Sequence, residues 1–251
     1  MYFKTDAIVL KATKSLNNDL FLTLYTRKAG KIDAVANGAK SSKSQLSSCS
    51  KPFVFGQFLM NTSNKTMRIS SCDLYDSHFK IMNRLDTLAY GNYFLELCNL
   101  TTINNVVDET HYQLIVEIIS LLANVSNEVM DFELLRLVYL VKLASITGHR
   151  PNLSDHCSNC GVPLNRHLFS VSSGGLLCDH CLQDSNDTYK LNETFVKLIH
   201  YLDQKDVRII IKTKIHANYI KPLVDLFESF VMYHNGLKVI HSKSFLKDLG
   251  L

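Results

Sequence analysis

The spacing of hydrophobic positions changes period once, near residue 78. Before that point apolar residues alternate or run in short segments: Tyr2–Ala12, Leu20–Thr26, Lys31–Ala36, Pro52–Thr62 and Thr66–Tyr75. Turn-forming groups separate them, at Asn17-Asn18-Asp19, Lys28-Ala29-Gly30 and Ser63-Asn64-Lys65. Five strands in about 75 residues leave no room for long crossovers and predict a small antiparallel barrel. An OB-fold is the favoured five-stranded form, with an SH3-like barrel as the alternative.

After residue 78 the period becomes helical. Leu85–Leu100 places Leu88, Phe94, Leu95 and Leu97 in one stripe, and Thr110–Ala123 is apolar on most sides, as in a central helix. Phe132–Thr147 is equally rich and stops at Gly148 with Pro151 following. Asn192–Leu202 and Tyr219–Tyr233 predict two further helices.

Between these helices lie two Cys-x-x-Cys pairs, Cys157/Cys160 and Cys178/Cys181. Two thiolates spaced by two residues grip one tetrahedral ion from a tight turn, and a second pair completes four-coordination. Gly161 follows the first pair, where a residue without a Cβ lets the backbone turn. Phe169–Ser172 and Leu176-Leu177 flank Gly174-Gly175 and predict a hairpin, as a zinc ribbon requires. The expectation is one Zn²⁺ held by Cys157, Cys160, Cys178 and Cys181. With four thiolates no coordination position stays open, so the ion is structural. His156 and His180 read as exposed neighbours of these ligands.

The net charge of +4 conceals an asymmetry. Residues 1–80 hold 12 Lys+Arg against 5 Asp+Glu, and residues 81–251 hold 15 against 18. No acidic residue occurs between Asp33 and Asp73. A basic first third on a nearly neutral remainder points to a polyanion bound by the barrel. The candidate cations are Lys11, Lys14, Arg27, Lys28, Lys31, Lys40, Lys43, Lys51, Lys65 and Arg68. The Ser/Lys-rich stretch from Gly38 to Cys49 reads as a mobile basic finger that reaches phosphates. Seven barrel aromatics (Tyr2, Phe3, Phe21, Tyr25, Phe53, Phe55 and Phe58) include candidates for stacking on bases, although most aromatics of a small barrel are core.

Cys49, Cys72 and Cys98 show no pairing pattern, which fits a reducing compartment. Met1–Asp6 lacks the charged-then-apolar plan of a signal peptide. The longest apolar runs, Leu114–Ala123 and Leu134–Ala144, are too short for a bilayer and are broken by Glu117, Arg136 and Lys142. A cytoplasmic protein is expected. Neither a phosphate-binding G-x-x-x-x-G-K-[ST] loop nor the His-x-Glu of zinc deaminases occurs, and no catalytic cluster stands out, so a non-enzymatic protein is expected. The residues alone leave two binding functions open: a DNA-annealing protein, or an RNA-binding or transcription-associated barrel with a zinc ribbon.

The chain resembles the RecO family of bacterial recombination mediators over nearly its full length. In the first third the resemblance runs through Ala7-Ile8-Val9-Leu10, Leu22–Arg27, Gly30-Lys31-Ile32, Gly38-Ala39-Lys40, Lys43-Ser44 and Pro52-Phe53. It continues through Phe132-Glu133-Leu134, Gly148 with Pro151, both cysteine pairs, and the tail Lys243–Leu246. The family's loop is usually richer in Arg than Gly38–Gln45, and Asn37 stands where a basic residue is common.

The resemblance implies an α+β, multidomain chain with an N-terminal OB-fold barrel followed by a helical domain with an embedded zinc ribbon. The expected boundaries are 1–80 for the barrel, 81–150 and 186–251 for the two parts of the helical domain, and 151–185 for the ribbon. It also implies recombinational repair in the RecF pathway, on nucleoid DNA. Such a protein binds single- and double-stranded DNA and anneals complementary strands. With RecR it helps load RecA onto strands coated by single-stranded DNA-binding protein (SSB). The acidic, apolar C-terminal tail of SSB needs an apolar groove with a cation at one end. Arg136, Tyr139 and Lys142, three residues apart on the helix Phe132–Thr147, are the candidate anchors; the same residues also fit a core helix whose cations reach past its edge to water.

Overall fold

The computed structural model describes residues 2–15, 17–63, 66–124, 131–182 and 187–251. The chain opens with β1 (Tyr2–Lys14), β2 (Leu20–Thr26), β3 (Gly30–Ala36), β4 (Phe55–Ser63) and β5 (Thr66–Asp76). They close into a barrel of order β1-β2-β3-β5-β4. All pairings are antiparallel except β3 with β5, which meet in parallel at Val35 and Arg68. This is the closed five-stranded arrangement of an OB-fold.

β1 is long because it serves two neighbours. Tyr2–Ile8 pair with β4 and Ala7–Lys14 with β2, and the register slips between Val9 and Lys11. Such a bulge bends the strand around the barrel. Alternate residues then point inward, where Val9, Leu24, Ile32, Ala34, Phe58 and Met60 form a dry core.

The fourth strand begins at Phe55 rather than at the expected Pro52. Phe53 has φ +73°, a left-handed conformation that a strand cannot contain. Its surroundings hold it there. The ring is buried, its N–H donates to the Val9 carbonyl at 3.0 Å, and its carbonyl lies 2.8 Å from Nδ1 of buried His78. Two residues of the expected β4–β5 turn, Asn64 and Lys65, lie outside the described residues.

A single 3-10 turn (Phe79–Asn83) leads into α1 (Leu85–Thr101) and α2 (Glu109–Ala123). α2 starts one residue earlier than the period suggests because the Asp108 side chain accepts the His111 N–H at 2.9 Å. The segment between α1 and α2 lies along β3, with Asn105 N–H donating to the Lys31 carbonyl at 2.9 Å. Gly30 makes this approach possible. It has φ +67°, and a Cβ there would stand 2.0 Å from the Val106 carbonyl oxygen.

The remaining elements are α3 (Phe132–Ile146), β6 (His167–Ser170), β7 (Gly175–Leu177), α4 (Asp179–Leu182), β8 (Thr188–Leu191), α5 (Glu193–Gln204), α6 (Val207–Ile210), α7 (Ala217–His234) and α8 (Ser242–Asp248). By contacts the chain divides into two compact units, Met1–Glu128 with Ile240–Leu251, and Val129–Val239. The second unit is therefore an insertion between α2 and α8.

α8 rejoins the first unit through α1. Both carboxylate oxygens of Glu96 accept backbone N–H groups at its start, from His241 at 2.9 Å and Ser242 at 2.7 Å. A carboxylate suits the positive end of a helix.

In the second unit α3 packs on α7. α3 ends as expected: Gly148 adopts φ +81°, and His149 N–H donates to the Ala144 carbonyl at 2.9 Å. Within this apolar contact Arg136 (6% exposed) is ion-paired with Glu228 (2% exposed), and its other fork reaches Glu133 at 3.2 Å.

Two outcomes are expected. Glu228→Ala strands a buried guanidinium and costs about 3 kcal/mol, the low end for a broken buried pair because Glu133 remains. Urea unfolding measures this, and Arg136→Met combined with Glu228→Leu recovers most of the loss. The second outcome concerns acid. Burial opposes ionisation of Glu96, but hydrogen bonds from Ser242 and His241 hold its pKa below the usual carboxylate range. A depressed pKa contributes stability above the unfolded-state value that is lost as pH falls through the folded one. Amide exchange in α8 will therefore quicken as pH drops through that range, and Glu96→Gln will flatten the dependence.

Candidate nucleic-acid interface and metal centre

The four cysteines converge. Their sulfurs all lie within 4.8 Å of one another, and Cys160 Sγ is 3.6 Å from Cys178 Sγ. Sulfurs around a tetrahedral zinc with bonds of about 2.3 Å stand about 3.8 Å apart, so the donor set fits that ion. Each pair sits on a tight turn. Gly161, at φ +75°, donates its N–H to the Cys157 carbonyl at 2.9 Å, and Leu182 N–H donates to that of Cys178 at 3.0 Å.

The electrostatics of the cluster suit a cation. Burial opposes ionisation of Cys157, yet the backbone N–H groups of Cys160, Cys178 and Asn159, with the Cys160 thiol, bring its pKa down to about 6. Cys181 is pushed up to about 12, chiefly by the Cys160 thiol beside it. Four adjacent thiols cannot all ionise by themselves; a dication removes that conflict. His156 and His180 are exposed and belong to no metal-holding group among the described residues.

The sheet that carries the cluster has a third strand, β8, giving the order β7-β6-β8. Its signal was four residues with two β-formers, too short to separate from a loop. Gly175 lets the first cysteine segment lie against the sheet, since a Cβ there would meet Asn152 O at 2.7 Å. The sheet rests on α7 through Phe169 and Phe230, 5.8 Å between ring centroids, and through His234 Nε2 at 2.8 Å from the Val171 carbonyl.

On the barrel the candidate cations separate by what they touch. Lys11, Lys14, Lys43 and Lys51 are exposed. Lys28 is exposed and lies 3.4 Å from the Lys4 carbonyl. Arg27 is paired with Glu109 at 2.8 Å. Lys31 donates to the Asn99 carbonyl at 2.5 Å, and burial lowers its pKa. Lys40 donates to the carbonyls of Ser15 and Asn17. Arg68 donates to Asn37 Oδ1 at 3.1 Å, a partner that the sequence reading did not credit; its signal was a polar residue at a strand end before Gly38. Lys65 lies outside the described residues.

The stretch expected to be a basic finger is wound into consecutive turns, with Ser41, Ser44, Ser47 and Cys49 N–H groups each bonded to the carbonyl three residues back. Ala39 and Cys49 are buried in the barrel core and Leu46 packs against it. These apolar anchors hold the stretch on the barrel wall.

The aromatics separate as sharply. Tyr25, Phe53 and Phe58 are buried, Phe3 packs on the core, and Phe55 stands edge-on to Tyr75. Phe21 and Tyr2 face outward. Of the helix residues considered for a partner tail, Arg136 is buried in its ion pairs and Tyr139 is fully buried. Lys142 donates to the carbonyls of Asp203 and Lys205. The three are not assembled into an open groove, because the helix that bears them is surrounded by its own unit.

No helix among the described residues is long and apolar enough to cross a membrane. The family description "Recombination protein O N terminal" matches residues 1–78, and "Recombination protein O C terminal" matches residues 82–243. Among curated relatives, the DNA repair protein RecO of Thermoanaerobacter sp. is 30% identical over 98% of this chain and 97% of its own. That of Bacillus pumilus is 32% identical over 81% of this chain and 78% of its own. The protein of the same name from Alkaliphilus metalliredigens is 28% identical over 93% and 94%. With both halves matched in order on an OB barrel and a four-cysteine module, the chain belongs to the RecO family of DNA repair and recombination proteins.

Proposed function

We propose that this chain is a non-catalytic recombination mediator that binds DNA through its barrel, anneals complementary single strands and, with RecR, helps load RecA onto strands coated by SSB. The observation that carries the reading is a closed OB barrel in a RecO-family chain whose exposed Lys11, Lys14, Lys43 and Lys51 have no acidic partner among the ion pairs of the described residues. Cations free of internal partners can displace counterions from phosphates, which supplies affinity without sequence preference. Annealing needs that combination, since one surface must hold two strands while leaving their bases to choose each other. In this reading residues 1–80 form the DNA-binding domain, and the protein acts in the cytoplasm on nucleoid DNA. Both single- and double-stranded DNA contact it through their backbones. The SSB tail binds elsewhere than at Arg136 and Tyr139, whose burial leaves no cation for a terminal carboxylate.

One Zn²⁺ held by Cys157, Cys160, Cys178 and Cys181 completes the proposal. It ties the turn at Cys157–Gly161 to the start of α4, so the ribbon keeps its shape against α7. The deciding experiment is annealing of complementary oligonucleotides, bare and coated with the cognate SSB. Failure to anneal either would reject the reading, and preferential binding of RNA in competition would transfer the barrel to an RNA function.

The metal and the charge each have an outcome. Purified protein will contain one zinc per chain by elemental analysis; Cys178→Ser will lose it, becoming less soluble and less stable before its DNA affinity changes. Replacing Lys11, Lys43 and Lys51 together by Ala will reduce the slope of log affinity against log salt by about 2 on single strands, at roughly 0.7 per phosphate contact. Lys40→Ala will instead lower the melting temperature and leave the slope alone, because its ammonium is engaged by carbonyls.

A further inference from the structure

A phenylalanine on a strand of a small barrel ordinarily faces the core, but Phe21, the second residue of β2, is 50% exposed. Its row on the outer face follows from the strand register. Thr13 on β1 lies beside Phe21, which lies beside Val35 on β3, and Val35 lies beside Arg68 on β5. The row continues from Arg68 to Asn61 on β4 and to Tyr2 on β1, which is 69% exposed. Residues directly across a ladder share a face, so two of the three exposed aromatics of the barrel strands bracket one arginine. The third, Tyr75, stands edge-on to Phe55 and donates its hydroxyl to Asp6 at 3.1 Å.

The same face is closed four residues further along β2. There Tyr25 is covered by α2, with His111 and Tyr112 set against its ring at 5.6 and 5.9 Å. Thr23, between them, donates to Asp33 at 2.7 Å. That hydrogen bond occupies an oxygen of the acidic side chain on this stretch of the face. The helix thus covers one aromatic and leaves the other bare. Arg68 donates to Asn37 through one of its five donors, and among the described residues the rest of its fork remains for an anion. Lys11 is exposed on the same side two residues from Thr13, directly across from Thr23.

We propose that Phe21 is a stacking platform for an unpaired nucleobase, with Arg68 and Lys11 holding the flanking phosphates and Tyr2 offering a second ring further along the row. The inference rests on the DNA-binding reading above and deepens it by naming what this platform holds: a single strand, while duplex binds through its backbone alone. An aromatic face stacks on any base, but only on one whose own face is free. The cations about the rings complement the backbone, and Phe21 and Arg68 are two strand spacings apart, about 10 Å, so one short stretch of strand reaches both. A platform of this kind holds a strand with its bases splayed and countable, the state from which a complementary strand can pair.

The test compares Phe21→Leu and Phe21→Tyr with the wild type, by fluorescence anisotropy on a single-stranded oligonucleotide, the same oligonucleotide with abasic sites, and a duplex. Phe21→Leu should lose roughly tenfold in affinity for the single strand. Its salt slope should stay unchanged, because no charge is removed, and duplex binding should be unaffected. Phe21→Tyr should bind as the wild type, and the wild type's preference for the intact over the abasic strand should vanish in the leucine variant. Single-strand affinity unchanged in Phe21→Leu, with the wild type binding tightly, would overturn the platform and leave the DNA-binding reading standing. So would an equal loss on all three DNAs with a lowered melting temperature, which marks a packing role. Unchanged DNA affinity together with loss of self-association in sedimentation would assign the face to a second copy. No DNA binding by the wild type would remove the reading itself.

Discussion

β1 gives its first half to β4 and its second half to β2, so the five strands have no free edge and every strand residue faces either the interior or the surface. Everything proposed about the barrel follows from that closure. It buries Phe58 and Met60, turns Lys11 and Phe21 outward, and requires the bulge at Leu10 that lets β1 bend. The left-handed Phe53 belongs to the same constraint. Its N–H bonds to Val9 at the bend, its ring lies against Gly91 of α1, where a Cβ would come within 2.8 Å, and so a strained residue joins the first helix to the barrel.

Charge on this surface is divided between holding the protein together and remaining available. Arg27, Lys31 and Lys40 each satisfy a carboxylate or carbonyl that packing has placed nearby. A cation engaged in this way gives little to a phosphate, because binding would first have to break the internal contact. The available lysines, Lys11 and Lys14 on β1 and Lys43 and Lys51 on the connection from β3 to β4, are exposed and have no acidic partner among the ion pairs of the described residues. Net charge therefore overstates the DNA-facing field, and the distribution of contacts corrects it.

The inserted unit works by different means. Its centre is apolar helix packing interrupted by one ionic pair, Arg136 with Glu228, which is costly to break and adds little over a well-packed apolar pair. The ribbon is too small for a core of its own, so it depends on the sulfur cluster at one end and on Phe230 and His234 of α7 at the other.

By itself the sequence determined what depends on neighbours along the chain. Alternation placed all five barrel strands, helical periodicity and Gly148 placed α1, α2 and α3, and two Cys-x-x-Cys turns declared a four-cysteine cluster able to hold a metal, because ligand spacing is a local geometric property. Short pieces escaped it: the 3-10 turn, α4, α6, α8 and β8 carry too few residues for a period to register and exist because tertiary contacts hold them. Composition could nominate ten cations and seven aromatics but could not rank them. Exposure is decided by which segments return to cover a face, as α2 covers Tyr25 and not Phe21. The fate of Arg136 turned on Glu228, ninety-two residues away in sequence, and a charge whose partner comes from so far along the chain looks identical to a free one until the fold brings the two together.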